Sequence, residues 1–150
     1  MYDLAIVGGG PAGLSAALYA GRAGLSCVVL EKLFFGGQML KTSEIDNYPG
    51  APEIRDVFSF SESMRAQAAE FGAEFKTEEV VEVRENNGIK TIVTTNGEYR
   101  AKALILATGA FPKKLGVPGE EEFAAKGVSY CATCDGAFFR NKTATVVGGG

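Results

Sequence analysis

Two short apolar runs, residues 4–7 and 25–30, bracket a segment rich in alanine and leucine at 12–23. Runs that are apolar at every position suit strands buried on both faces, as in a parallel sheet. The pattern predicts a strand over 4–7, a helix over 12–23 and a strand over 25–30, joined as a right-handed β-α-β unit. Residues 33–53 then mix glycine, proline and polar residues without a sustained period, which predicts a long loop. Loops of that length inside compact domains are usually functional. From Ile54 onward, Val57, Phe58, Met64, Ala68 and Phe71 follow helical spacing, and Gly72 sits where a helix C-cap belongs. Residues 79–106 predict short strands separated by turns at Asn86-Asn87-Gly88 and Asn96-Gly97. The last of these strands, 103–106, runs into Ala107-Thr108-Gly109.

Residues 112–121 carry two prolines, two glycines and four charges and predict a linker. A short helix is expected near Cys131 or Asp135, and a buried strand over 143–147. Gly148-Gly149-Gly150 follows that strand as Gly8-Gly9-Gly10 follows the first, so a second β-α-β unit is expected to open here and stop before its helix.

Composition narrows the class. Hydrophobic residues make up 46% and charged residues 22% of the 150, values of a globular domain with a real core. A net charge of −3 with no clustered lysine or arginine argues against a nucleic-acid footprint. Three cysteines, two of them in a C-x-x-C, do not form the dense, even-numbered framework of a secreted disulfide protein. The start, Met1-Tyr2-Asp3-Leu4, lacks the basic residues of a leader, and no stretch is long and apolar enough to span a bilayer. A reducing, cytoplasmic setting follows as the expectation.

Gly8, Gly10 and Gly13 form a G-x-G-x-x-G that follows a predicted strand and opens a helix beginning near Pro11 and Ala12. Gly8 permits the tight turn, Gly10 admits a pyrophosphate to the backbone, and Gly13 lets helix and strand pack closely. Glu31 ends the second strand 18 residues beyond Gly13, near the spacing of an acid that binds a ribose hydroxyl. The same residues would also suit a structural glycine turn with a solvated strand-end glutamate. An acid at this position disfavours a 2′-phosphate, so FAD or NAD fits the first site better than NADPH. Gly36-Gly37-Gln38 could bring backbone and an amide to a flat ring system, or could be a β-turn.

Cys131 and Cys134, in Cys131-Ala132-Thr133-Cys134-Asp135, are open to three readings: a metal half-site, a redox pair, or coincidence. Zinc needs four ligands, yet the sequence has no histidine and no second pair, and Cys27 lies in a predicted buried strand as a small hydrophobe. A redox dithiol is favoured, because a C-x-x-C at a helix start lowers a thiol pKa. Asp135 could cap that helix, carry protons for the sulfurs, or do both.

These residues together resemble the low-molecular-weight, bacterial-type thioredoxin reductases. The resemblance runs along the whole chain through Gly8–Gly13, Gly36-Gly37-Gln38, Asp46-Asn47-Tyr48-Pro49-Gly50, Ala107-Thr108-Gly109-Ala110, Pro118-Gly119-Glu120 and Cys131–Asp135. Asp46 stands where the family often has glutamate. The resemblance implies an α/β, FAD-binding Rossmann-like fold of the pyridine nucleotide-disulfide oxidoreductase class II. Such a fold has three layers, a small antiparallel meander and, here, an incomplete second Rossmann unit. Residues 1–112 would be the first segment of the FAD domain; 113–150 would be the linker and the opening of an NADPH domain carrying the redox pair. FAD would be held by Gly8, Gly10, Pro11, Ala12, Gly13, Glu31, Lys32, Gly36, Gly37, Gln38, Asn47, Thr108 and Gly109. Cys134 would face the flavin, Cys131 would exchange with thioredoxin, and Asp135 would act as acid and base. Electrons would pass from NADPH through FAD and the pair to thioredoxin, in a cytoplasmic homodimer. The NADPH phosphate site would lie past Gly150, leaving this chain alone with little or no NADPH-driven disulfide reductase activity. The alternatives are a ferredoxin donor, a peroxidase disulfide as partner, a non-enzymatic flavin-binding module, or a metal-binding module.

Overall fold

The computed structural model describes residues 1–42, 44–51, 54–124 and 126–148, apart from the side chains of Thr133 and Cys134. The Cys134 sulfur and the last two glycines of the Gly148–Gly150 run therefore lie outside the described residues. The chain divides into two compact units, Met1–Gly109 and Ala110–Gly150.

The first unit is built on strand β1 (Tyr2–Val7), helix α1 (Pro11–Arg22) and strand β2 (Cys27–Glu31), the β-α-β unit read from the pattern. Helix α2 (Val57–Glu70) and strands β3 (Glu74–Thr77), β4 (Val80–Asn86), β5 (Ile89–Thr94) and β6 (Glu98–Leu106) follow. The strands form one six-stranded sheet in the order β3-β2-β1-β6-β5-β4. Pairs β3-β2, β2-β1 and β1-β6 are parallel, whereas β6-β5 and β5-β4 are antiparallel.

Burial on both faces of the sheet, with side chains alternating between them, explains why Leu4 to Val7 of β1 and Cys27 to Leu30 of β2 are apolar at every position. Leu4, Ile6, Cys27 and Val29 face the helices, packing with Ala17 and Ala20 of α1 and Ala68 of α2. Ala5, Val7, Val28 and Leu30 face the other way and pack against Ile92 and Ala101 of the meander. Strand β6 joins the layers: residues 98–101 pair with β5 and 101–106 with β1, so Ala101 belongs to both ladders. The result is the expected three-layer α/β arrangement, its meander continuous with the parallel sheet. Where α1 crosses α2 there is no room for a side chain. A Cβ on Gly21 would come within 2.6 Å of the Phe71 carbonyl oxygen.

Several elements differ from the expectation. The loop over 33–53 contains a 3₁₀ turn at Gly37–Lys41 and two isolated bridges, Ile45 with Ile54 and Tyr48 with Ala51. Ile54 thus belongs to a bridge, and α2 starts later because the Asp56 side chain accepts from Ser59 N at 2.9 Å as its N-cap. Strand β3, Glu-Phe-Lys-Thr, was not foreseen: four residues with two charges show no apolar run, and only pairing with β2 makes them a strand. Strand β6 begins at Glu98 rather than 103, and its apolar end is exposed, Leu106 at 67%. The predicted turns hold. Asn87 (φ 50°) and Gly88 (φ 78°) both take positive φ between β4 and β5, the pairing a two-residue hairpin demands.

In the second unit, a one-turn helix α3 (Ala132–Asp135) runs into a 3₁₀ turn at Gly136–Phe139. Residues 143–147 form no strand, correcting the expectation of a buried one; Val146 is 85% exposed. A strand needs a neighbour for its backbone groups, and the described residues of this unit supply none there. Among the described residues no helix is long and apolar enough to cross a membrane.

Candidate functional site

In the first unit, β1 lies between β2 and β6, so the chain leaves its carboxyl end with a crossover on either side. Open parallel sheets bind ligands at this switch point, outside the carboxyl ends of the strands. Gly8 leaves β1 here, its N–H donating to Leu30 O at 2.9 Å, while Ala107 N donates to Val7 O at 2.7 Å. Three strand ends are thereby tied together.

Two of the three fingerprint glycines are demanded by packing. Gly8 has φ 105°, and a Cβ there would sit 2.2 Å from the Ala107 carbonyl oxygen. A Cβ on Gly13 would sit 1.9 Å from Gly8 O. Gly10 is different. Its φ is −74° and a Cβ would meet nothing nearer than Gly37 Cα at 3.9 Å, so the fold itself does not require glycine there. Gly10 is also the N-cap of α1, with Pro11 at the first helical position, no side-chain cap and no acid in the first turn. Helix-start N–H groups without a capping side chain, beside a backbone open to approach, fit the pyrophosphate of a dinucleotide.

Glu31 ends β2 with its carboxylate turned to this loop. Gly9 N donates to its Oε2 at 2.7 Å and Leu33 N to its Oε1 at 3.1 Å. A carboxylate has about four acceptor sites, so these bonds leave capacity for ribose hydroxyls. Lys32 points to Glu79, with Nζ to Oε1 at 2.6 Å. Gly36 and Gly37 dock on the fingerprint: Gly36 N donates to Gly9 O at 2.8 Å. A Cβ on Gly37 (φ 59°) would lie 3.1 Å from Gly10 Cα. The segment is more than a free turn.

Sequence reasoning missed what anchors that loop. Ser61, fully buried on α2, has its Oγ 3.1 Å from Phe35 O and 2.8 Å from Phe58 O. The Phe35 ring packs edge-on against Phe75 at 5.3 Å and leaves no space for a Cβ on Gly9. A lone serine at a helical core position carries no sequence signal; the middle glycine in Gly8-Gly9-Gly10 does. Gln38 lies exposed on the 3₁₀ turn. Asn47 is exposed on the bridged loop and makes no hydrogen bond among the described residues. Thr108 and Gly109 (φ 69°) are exposed just past β6.

In the second unit, Cys131 is disulfide-bonded, a state that offers no thiolate to a metal, while Cys27 is a free, buried thiol in β2. Burial pushes the Cys27 thiol pKa up, which keeps it protonated and inert. Asp135 N donates to Cys131 O at 3.0 Å. Its carboxylate does not cap α3 from the front; Oδ2 accepts from the Ser129 hydroxyl at 2.6 Å, and Ser129 Oγ accepts from Cys131 N at 3.1 Å. Glu120, of Pro118-Gly119-Glu120, is buried and organises the preceding turn. Its carboxylate accepts from Leu115 N at 2.8 Å, Gly116 N at 2.6 Å and the Tyr130 hydroxyl. Burial opposes ionisation there, but the backbone donors at Leu115, Gly116 and Val117 outweigh it and hold the carboxyl below its ordinary range.

The first unit has the glycine fingerprint and the sheet switch point typical of dinucleotide-binding α/β folds, and in the second Cys131 is disulfide-bonded. The chain belongs to the pyridine nucleotide-disulphide oxidoreductase family, whose pattern matches residues 2–150. It is 50% identical over 149 residues to a thioredoxin reductase of Treponema pallidum, covering 99% of this chain and 48% of that one. The solved thioredoxin reductase of Streptococcus pyogenes superposes with a TM-score of 0.80 at 45% identity, covering 93% of this chain and 45% of that one. The Lactococcus lactis thioredoxin reductase in its FR conformation gives a TM-score of 0.76 at 45% identity over 94% and 46% of the two chains. The chain spans about half the length of these relatives.

Proposed function

We propose that this chain is the N-terminal half of an FAD-dependent thioredoxin reductase, in which electrons from NADPH reach thioredoxin through FAD and the Cys131–Cys134 disulfide. The observation that carries the reading is the disulfide-bonded Cys131, tied to Asp135 through Ser129, on the same chain as the glycine cradle. Bound FAD would supply the two-electron carrier that a disulfide needs in order to be reduced by a nicotinamide.

The chain's own residues then have separable tasks. Gly10 and Pro11 open the helix and, with the N–H groups of Ala12 and Gly13, take the pyrophosphate, while Glu31 accepts from ribose hydroxyls. Gly36, Gly37, Gln38, Asn47, Thr108 and Gly109 complete the cofactor contacts, with Lys32 beside Glu31. Cys134 is assigned the cofactor-facing sulfur and Cys131 the sulfur that exchanges with the partner. Asp135 holds a proton for the departing thiolate and takes one from the attacking thiol. Residues 1–112 form the first segment of the FAD domain, and 113–150 lead into the NADPH domain of a cytoplasmic homodimer.

Mixed-disulfide trapping tests the division of labour. With Cys134→Ser, the remaining Cys131 thiolate attacks oxidised thioredoxin and stays linked to it, giving a covalent adduct that reductant releases. Cys131→Ser gives little or none. Adduct formation by Cys131→Ser but not by Cys134→Ser would reverse the assignment, and absence of any adduct from either variant would remove thioredoxin as the partner.

A further inference from the structure

We propose that Ser129 is a positioning residue for Asp135. Its hydroxyl fixes one carboxylate oxygen against the backbone of Cys131 and leaves the other to carry the proton during thiol–disulfide exchange. The inference rests on reading Cys131, Cys134 and Asp135 as the redox site, and deepens it.

The geometry is a closed cycle. Cys131 O accepts from Asp135 N at 3.0 Å, Asp135 Oδ2 accepts from Ser129 Oγ at 2.6 Å, and Ser129 Oγ accepts from Cys131 N at 3.1 Å. A hydroxyl has one proton to give. The Cys131 amide occupies one of its lone pairs, and its other possible acceptor, Cys131 O, is 3.4 Å away against 2.6 Å for Asp135, so the proton is directed to the carboxylate. Asp135 Oδ1 makes no hydrogen bond among the described residues. No lysine or arginine nitrogen of the described residues pairs with the carboxylate either. Lys114 is engaged by Glu121 at 2.5 Å, and the Lys142 amine lies over the Phe139 ring at 6.0 Å. One oxygen is held and the other is open, an arrangement that fixes where a transferred proton sits relative to the cysteine at position 131.

That matters because exchange moves protons as well as sulfur. When a dithiol reduces the pair, its first thiol loses a proton, its sulfur bonds to one cysteine sulfur, and the S–S bond breaks to release the other as a thiolate, which takes a proton. The second thiol of the reductant then breaks the mixed disulfide. In sum two electrons and two protons pass to the cysteines and the reductant becomes a disulfide. Asp135 Oδ1 accepts the proton from each attacking thiol and returns it to each departing thiolate, ending ionised as it began. A carboxylate without its anchor samples other rotamers, and a misplaced acid–base group costs roughly tenfold in rate or more.

The test is the rate at which dithiothreitol reduces the disulfide of this chain, followed by thiol appearance near neutral pH, without flavin, nicotinamide or partner protein. Ser129→Ala is expected to be slower by roughly tenfold. Ser129→Thr, which keeps the hydroxyl, is expected to recover most of the rate. Combining Ser129→Ala with Asp135→Asn is expected to be no slower than Asp135→Asn alone, as for groups acting in one unit. A wild-type rate for Ser129→Ala beside a slow Asp135→Asn would overturn the role of Ser129 and leave that of Asp135 standing. So would multiplying effects in the double variant, or a slow Ser129→Thr with a native circular dichroism spectrum. A wild-type rate for Asp135→Asn would overturn both roles.

Discussion

The three fingerprint glycines do different jobs, and substitution separates them. Alanine at Gly8 must adopt φ near 105° and place a methyl 2.2 Å from a backbone oxygen; at Gly13 the methyl falls 1.9 Å from one. Each is expected to cost about 3 kcal/mol of stability, seen as a lower urea midpoint. Gly10→Ala meets no such contact and is expected to cost about 1 kcal/mol or less, through the helix cap alone, while weakening FAD binding by tenfold or more. Equal destabilisation at all three positions would refute the distinction. The G-x-G-x-x-G spacing made all three legible as a group, because strand, turn and helix patterns flank it. Which of them the fold requires was not legible, since the contact that crowds Gly8 and the open space at Gly10 are set by Ala107 and Gly37, which are far away in sequence. Ser61 was illegible for the same reason. Ser61→Ala is expected to cost about 1 kcal/mol, through the lost tie to Phe35 O.

At the scale of elements, the parallel core was readable because burial on both faces leaves unbroken apolar runs in β1 and β2. The edge strand β3 was not, because its pairing with β2 and the Phe75 contact define it rather than its own composition. The meander is held by polar ties that titrate. Glu78 accepts from the Thr94 hydroxyl at 2.6 Å and the Tyr99 hydroxyl at 2.8 Å, and the Thr94 bond above all holds its carboxyl below the ordinary range. A depressed folded-state value stabilises the fold above the unfolded carboxyl range, and that contribution is lost as pH falls through the folded value. Tyr2 and Tyr99 work in the opposite direction. Burial first, then hydrogen bonds to Glu74 and Glu78, push both phenols up to about 12. Their stabilisation is complete below the ordinary tyrosine value of about 10 and is lost as pH rises toward the folded value. Urea midpoints are therefore expected to fall between about pH 10 and about pH 12, and Tyr99→Phe to flatten that fall while lowering stability near neutrality. An unchanged alkaline slope in Tyr99→Phe would contradict the assignment.

For the whole molecule, two units are joined in sequence, one carrying the glycine fingerprint at a sheet switch point and one a disulfide-bonded Cys131 tied through Ser129 to an aspartate. The family was legible because the specific cysteine motif and the glycine motif, weak by itself, occur together on one chain. The second unit was read less well. An apolar stretch at 143–147 has the composition of a buried strand, but burial needs partners, and those residues are exposed here. Since the chain spans about half of its relatives, NADPH-driven turnover by the chain alone is expected to be near zero in a thioredoxin-coupled assay. Family-like turnover would show that the donor site needs no further residues.

If one chain holds both a flavin and a reducible pair, as proposed, thiol counting on the FAD-reconstituted chain before and after dithionite will detect both. The sequence has three cysteines: Cys27 is a free thiol, Cys131 is disulfide-bonded, and with Cys134 as the proposed partner of Cys131 the oxidised, denatured protein should titrate as one thiol. After dithionite bleaches protein-bound flavin absorbance, the count should rise to the full three. A colourless protein after reconstitution, or a count that does not change on reduction, would contradict the claim.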